Sequence, residues 1–304
     1  MQIDPSAAEL FLGYVDDEVS LERVWEHPAY DVAREHASVL GRDLECEDLR
    51  KAVADEETAF SFAGVENLRA NRDRIEGLLD HVRARQSEWE ARIDRNLERI
   101  APDADTADVT LSLGIGYEFG IGTRRGAYVG LNEPLFLERP RQLLYAGLHE
   151  CSHVLHERVH RTIEEFGSEP MESRSVQWQV FNAICQGEAY ATYAPLAVRE
   201  ADGNLGAGDH PMCEDYRVLE DDARLCELVE EYDSFRQRLR TESVPRETLF
   251  ERIFAEPRLP YRVGCALLVG LEERRGLEAV QEGFTRDPVE FFEAYDSILD
   301  RYRS

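Results

Sequence analysis

Apolar positions recur at helical spacing over most of the chain and alternate in only one short region. Residues 1–63 read as irregularly helical, interrupted at Pro5 and Pro28. From about Val65 to Ile100 the pattern sharpens: Leu68, Ile75, Leu78, Leu79, Val82, Trp89, Ile93, Leu97 and Ile100 form one stripe between Arg/Glu-rich faces. This predicts a single long amphipathic helix serving as scaffold, since the heptad is not strict enough for a coiled coil. His81, beside the stripe, is structural on this reading. Ala101-Pro102-Asp103 ends the helix.

The pattern then changes. Val109 to Leu113 alternates like a strand, and Gly126 to Leu131 reads as another. The glycines between them, Gly114 to Gly122, lack the spacing of a phosphate-binding loop and predict a flexible hairpin. Helical patterning resumes from about Arg139 to Ile163, with Pro140 in the first turn and a stop at Gly167-Ser168-Glu169-Pro170. A second helix covers about Ser173 to Val198, followed by a loop from Ala201 to Pro211 that carries His210. Polar amphipathic helices occupy 214–240 and 246–255. Pro260 opens an apolar helix, Tyr261 to Arg275, closed by Gly276. Asp287 and Pro288 suit the N-cap and first position of the last helix. The expected fold is mainly α with a small antiparallel or mixed sheet (α+β). An N-terminal helical region, 1–105, precedes a second domain, 106–304.

Composition narrows the class. The net charge is −27, from 62 acidic and 35 basic residues, and Lys51 is the only lysine. Such a surface repels nucleic acid and anionic membranes, so neither is an expected partner. A folded, acidic chain that avoids lysine fits a salt-adapted protein, in which screening weakens self-repulsion. There is no signal-peptide pattern at the N-terminus and no apolar run of about 18 residues, so a cytoplasmic location is expected. The six cysteines show no C-x-x-C spacing, consistent with buried free thiols.

The candidate chemistry lies in Leu148-His149-Glu150-Cys151-Ser152-His153, an H-E-x-x-H on predicted helix. At about 100° per residue, His149 and His153 project within roughly 40° of each other, one turn apart. Two imidazoles so placed can grip one metal ion, and Glu150 falls beside it as a base for an activated water. Leu144, Leu148, Cys151, Leu155 and Val159 share the opposite, apolar face. His156 and His160 continue the ligand stripe, but an unbroken helix cannot fold both onto one ion. They read as groups supporting the site or facing solvent, His156 the closer.

Zinc hydrolase sites take three protein ligands and leave a position for water. A metzincin would place a histidine six residues after His153; that position is Val159, which excludes the pattern. Two glutamates remain. Glu172 stands at a loop or helix start. Glu188 lies mid-helix on a face with Ile184, Cys185, Ala191 and Thr192, where a carboxylate is costly unless paired or metal-bound. That argument favours Glu188 over Glu172.

His149-Glu150-x-x-His153 followed by Glu188-x-x-Ala191-x-Tyr193 resembles the gluzincin-type zinc metallopeptidases, and most closely a family of predicted zinc-dependent proteases. Pro260-Tyr261-Arg262-Val263-Gly264 is similar to a Tyr-x-x-Gly segment downstream in such proteins. The resemblance covers roughly residues 108–275. Ala189 departs from a frequent glycine, and Thr192 stands where some gluzincins carry an aspartate that orients the first histidine. The resemblance implies a zincin-like core, Zn2+ on His149, His153 and Glu188, Glu150 as base, and cleavage of a peptide or protein substrate. Tyr261 is the preferred oxyanion donor and His210 the runner-up; Tyr190 and Tyr193 project away from Glu188 and belong to the core. In such enzymes an edge strand pairs with the substrate backbone, for which Ala127-Tyr128-Val129 is the candidate. Two other readings remain open: a non-catalytic protein that keeps the metal for stability or partner binding, and a zinc hydrolase of a non-peptide bond.

Overall fold

A computed structural model describes residues 1–39, 42–54, 68–160, 171–206, 208 and 210–303. The expected helix start at Val65, the continuation to Ile163 and the stop at 167–170 lie outside these residues. The architecture is mainly helical with one four-stranded mixed sheet, an α+β fold. The chain falls into two compact units: Met1–Glu98 with Asp103–Leu155, and Arg99–Pro102 with His156–Ser304.

The first unit begins with β1 (Gln2–Asp4), α1 (Ser6–Val15), α2 (Leu21–Trp25), α3 (Pro28–Val39) and α4 (Cys46–Val53). The long amphipathic stripe forms two helices, α5 (Leu68–Arg83) and α6 (Gln86–Ile100), instead of one. Its apolar positions lapse between Val82 and Trp89, so no packing holds the helix straight through Ala84-Arg85. The break aims α6 at β1: Gln86 donates to the Ile3 carbonyl at 2.8 Å, and Glu90 accepts from the Ile3 N–H at 2.9 Å. His81 packs edge-on against Trp89, a structural role as expected.

β2 (Thr110–Gly114), β3 (Gly120–Thr123) and β4 (Gly126–Gly130) complete the sheet in the order β1-β2-β4-β3. β1–β2 and β2–β4 are parallel; β3–β4 is antiparallel. This corrects the substrate-strand expectation. Ala127, Tyr128 and Val129 form β4, which pairs with β2 on one side and β3 on the other, and all three are fully buried. With both backbone edges spent, β4 cannot receive a peptide. Among the described residues the edge on that side is β3. The glycine-rich segment is likewise no free hairpin between two strands, because β3 folds back onto β4 within it.

α7 (Pro134–Glu138) leads into α8 (Arg141–Val159), which starts directly after Pro140. Gly147 lets α8 approach the sheet: a methyl there would come within 2.5 Å of Leu111 Cδ2. Leu144, Leu148, Cys151 and Leu155 are buried as the stripe requires, while Val159, at the helix end, is 44 % exposed.

The second unit is helical: α9 (Arg174–Tyr193), α10 (Leu196–Ala201), α11 (Pro211–Arg217), α12 (Asp222–Thr241), α13 (Arg246–Phe254), α14 (Leu259–Arg275), α15 (Leu277–Thr285) and α16 (Pro288–Tyr295). Pro195 divides the helix expected to reach Val198, since a proline has no N–H to continue the ladder. α9 and α14 pack against each other, with Gly264 against Ala189, where a methyl would come within 2.6 Å of Ala189 Cβ. Gly276, at φ 83°, closes α14, and Asp287 caps α16 by accepting from Val289 and Glu290 N–H groups. No described helix is long and apolar enough to cross a membrane.

Candidate metal centre

His149 and His153 are half-buried on α8, and their Nε2 atoms lie 3.2 Å apart. Two nitrogens each ~2.0–2.1 Å from one tetrahedral ion would stand roughly 3.3 Å apart, so the pair is spaced for a shared cation. Glu188 joins them. One ligand atom from each of His149, His153 and Glu188 lies within 4.8 Å of the others, the only such group among the described residues. Two imidazoles and a carboxylate form a donor set that suits Zn2+.

Glu188 is 6 % exposed in the middle of α9. A buried carboxylate is costly unless neighbours compensate it, and here the Tyr261 hydroxyl of α14 is hydrogen-bonded to it. Burial pushes the Tyr261 phenol well above its ordinary range, and the charge of Glu188 adds to the shift. Tyr261 thus stands beside Glu188, its hydroxyl engaged by that carboxylate. Glu172 is exposed in the turn before α9 and outside the group.

Glu150 is also 6 % exposed, and β3 passes directly over it. A methyl on Gly120 would come within 2.5 Å of Glu150 Oε1; one on Gly122 would meet the Glu150 carbonyl oxygen at 2.3 Å and His153 Cβ at 2.6 Å. Only glycine lets the edge strand lie this close to the working face of α8. Sequence reasoning missed Gly120 and Gly122 as site residues. Their signal was the two-residue spacing, which in a strand places both on one face.

Three further histidines have hydrogen-bond partners in the second unit. His156 and His160 are buried, so neither faces solvent. Gln186 donates to the Gly283 and Arg286 carbonyls, both at 3.0 Å, leaving its Oε1 to accept from His156 Nε2 at 3.2 Å. His160 Nε2 donates to the Phe284 carbonyl at 2.6 Å. His210 caps α11, its Nδ1 accepting from the Met212 N–H. Tyr190 and Tyr193 are buried, their hydroxyls bonded to the Val280 carbonyl and to Glu272. Thr192 is 1 % exposed, and its hydroxyl makes no hydrogen bond among the described residues.

No family model, curated protein or solved structure matches the chain.

Proposed function

We propose that the protein is a zinc-dependent hydrolase and, within that class, a metallopeptidase with a zincin-like core. One observation carries this reading: His149, His153 and Glu188 converge within 4.8 Å, with Glu150 next to the first of them and not among the ligands. A structural zinc site is closed by a fourth protein ligand, whereas the three candidate ligands found among the described residues would leave a position for water. Zn2+ in this donor set would lower the pKa of a bound water to about 7 and polarise a carbonyl.

The chain's own residues supply the rest. Glu150, held under β3, accepts the proton of the attacking water and passes it to the leaving amine. The Tyr261 hydroxyl is the donor for the developing oxyanion, turning to it from Glu188. The outer edge of β3, an edge strand among the described residues, replaces β4 as the backbone partner of an extended peptide. Because β3 crosses the Glu150 carboxylate at Gly120, a peptide paired with it runs past the base. The charge of −27 suits a salt-rich cytoplasm and disfavours nucleic acid and membrane partners.

A peptide-library digest in high salt, with and without chelator, tests the proposal. Cleavage that chelator abolishes and Zn2+ restores is the expected result. Metal binding without cleavage of any peptide would remove the peptidase assignment.

A further inference from the structure

Asp215 is 1 % exposed and collects two guanidinium groups. Arg258 Nε lies 3.1 and 3.0 Å from its two oxygens, Arg258 Nη2 lies at 2.9 Å, and Arg262 Nε at 3.0 Å. Charge-assisted, multidentate contacts of this kind fix orientation as well as adding energy. Arg258 is also one of two described non-glycine residues with positive φ, at 54°. A side chain disfavours that left-handed conformation, so the surroundings must hold it there. The guanidinium carbon of Arg258 lies 3.6 Å from the centroid of the Tyr261 ring, a face-on cation–π contact. The hydroxyl of that ring reaches Glu188. A continuous line of contacts therefore runs from Asp215 through Arg258 and Tyr261 to the ligand carboxylate.

None of the hydrolytic chemistry above uses Asp215 or Arg258. We propose that Arg258, locked by Asp215, is a positioning residue that sets the Tyr261 ring and, through its hydroxyl, the orientation of Glu188 toward the cation. The inference rests on the metal-site reading. A glutamate side chain has three rotatable bonds; tying one carboxylate oxygen to a fixed phenol orients the other. Groups that hold a ligand in this way typically change metal affinity about 10–100-fold when removed.

The test is a Co2+ titration of the full chain followed by visible absorption, which reports affinity and ligand geometry without any turnover. Arg258→Ala and Tyr261→Phe are each expected to weaken Co2+ about 10–100-fold and to move the absorption bands in the same direction. Their double variant is expected to be no weaker than the worse single, because both act along one line. Arg258→Lys keeps the cation but loses the planar stack, and is expected to show a smaller shift of the same kind. Should Arg258→Ala fail to fold, Arg258→Lys decides. Wild-type affinity and bands in Arg258→Lys, or losses that multiply in the double variant, would overturn the role of Arg258 alone. A wild-type chain that binds no Co2+ would overturn the metal site itself, and this inference with it.

Discussion

Gly120 has no room for a side chain because the carboxylate of Glu150 fills the space: a methyl there would stand 2.5 Å from Oε1. The strand and the Glu150 carboxylate are thus set against each other by the absence of one carbon. Gly120→Ala pushes on the far end of a flexible side chain, so Glu150 moves and the fold does not. Turnover is expected to fall about 100-fold, the usual consequence of displacing a reacting group by ~1 Å, with Zn2+ affinity unchanged. Gly122→Ala instead meets backbone at 2.3 Å and forces the strand away. It is expected to lose roughly 1–3 kcal/mol of stability, read by urea denaturation. If both substitutions behave alike, the strand does not approach α8 as described.

Glu150→Gln keeps the size and one acceptor oxygen while removing the charge and the proposed base. Turnover is expected to drop about 10²–10⁴-fold with zinc content unchanged, measured by peptide hydrolysis and metal analysis on one sample. Retained activity would remove Glu150 from the mechanism.

The choice between the two glutamates can be made directly. Glu188→Ala is expected to weaken Zn2+ by more than the roughly 10–100-fold typical of losing a supporting group, because a ligand itself is gone. Glu172, exposed in its turn, is expected to be silent when replaced by alanine. Competition against a chelating dye reads both, and the reverse order would move the third ligand.

Much of this site was legible because its logic is local. Helical spacing alone sets His149 and His153 on one face, and burial alone makes Glu188 a carboxylate in need of a partner. Tyr261 was singled out by its Tyr-x-x-Gly setting, and its contact with Glu188 depends on how α14 packs on α9. What escaped the sequence is non-local. β1 is only three residues long, too short to show alternation, and it pairs with β2 more than a hundred residues away. For the same reason β4 looked like an edge: no local pattern says that β3 returns to cover it. His156 and His160 share one stripe with His149 and His153, and their partners, Gln186 of α9 and the Phe284 carbonyl of α15, come from distant sequence.

His36 gives a pH signature. Its Nδ1 lies 3.1 Å from the Tyr117 hydroxyl, and burial lowers its pKa from 6.5 to about 4. The unfolded chain therefore takes up this proton first as pH falls. Full stability is present above pH 6.5 and is lost progressively down to about pH 4. The contribution is on the order of 3 kcal/mol. Urea denaturation at pH 7 and at pH 4.5 is expected to show a smaller acid loss in His36→Gln than in wild type. Equal losses would mean that His36 is not held neutral by its surroundings.

The central claim is that one cation sits between His149, His153 and Glu188. Diffraction at the zinc absorption edge, from crystals grown with one equivalent of Zn2+, tests it most directly. The expected result is a single anomalous peak within bonding distance of both Nε2 atoms and the Glu188 carboxylate. No peak there, or zinc bound elsewhere while the two imidazoles stay unligated, would contradict it.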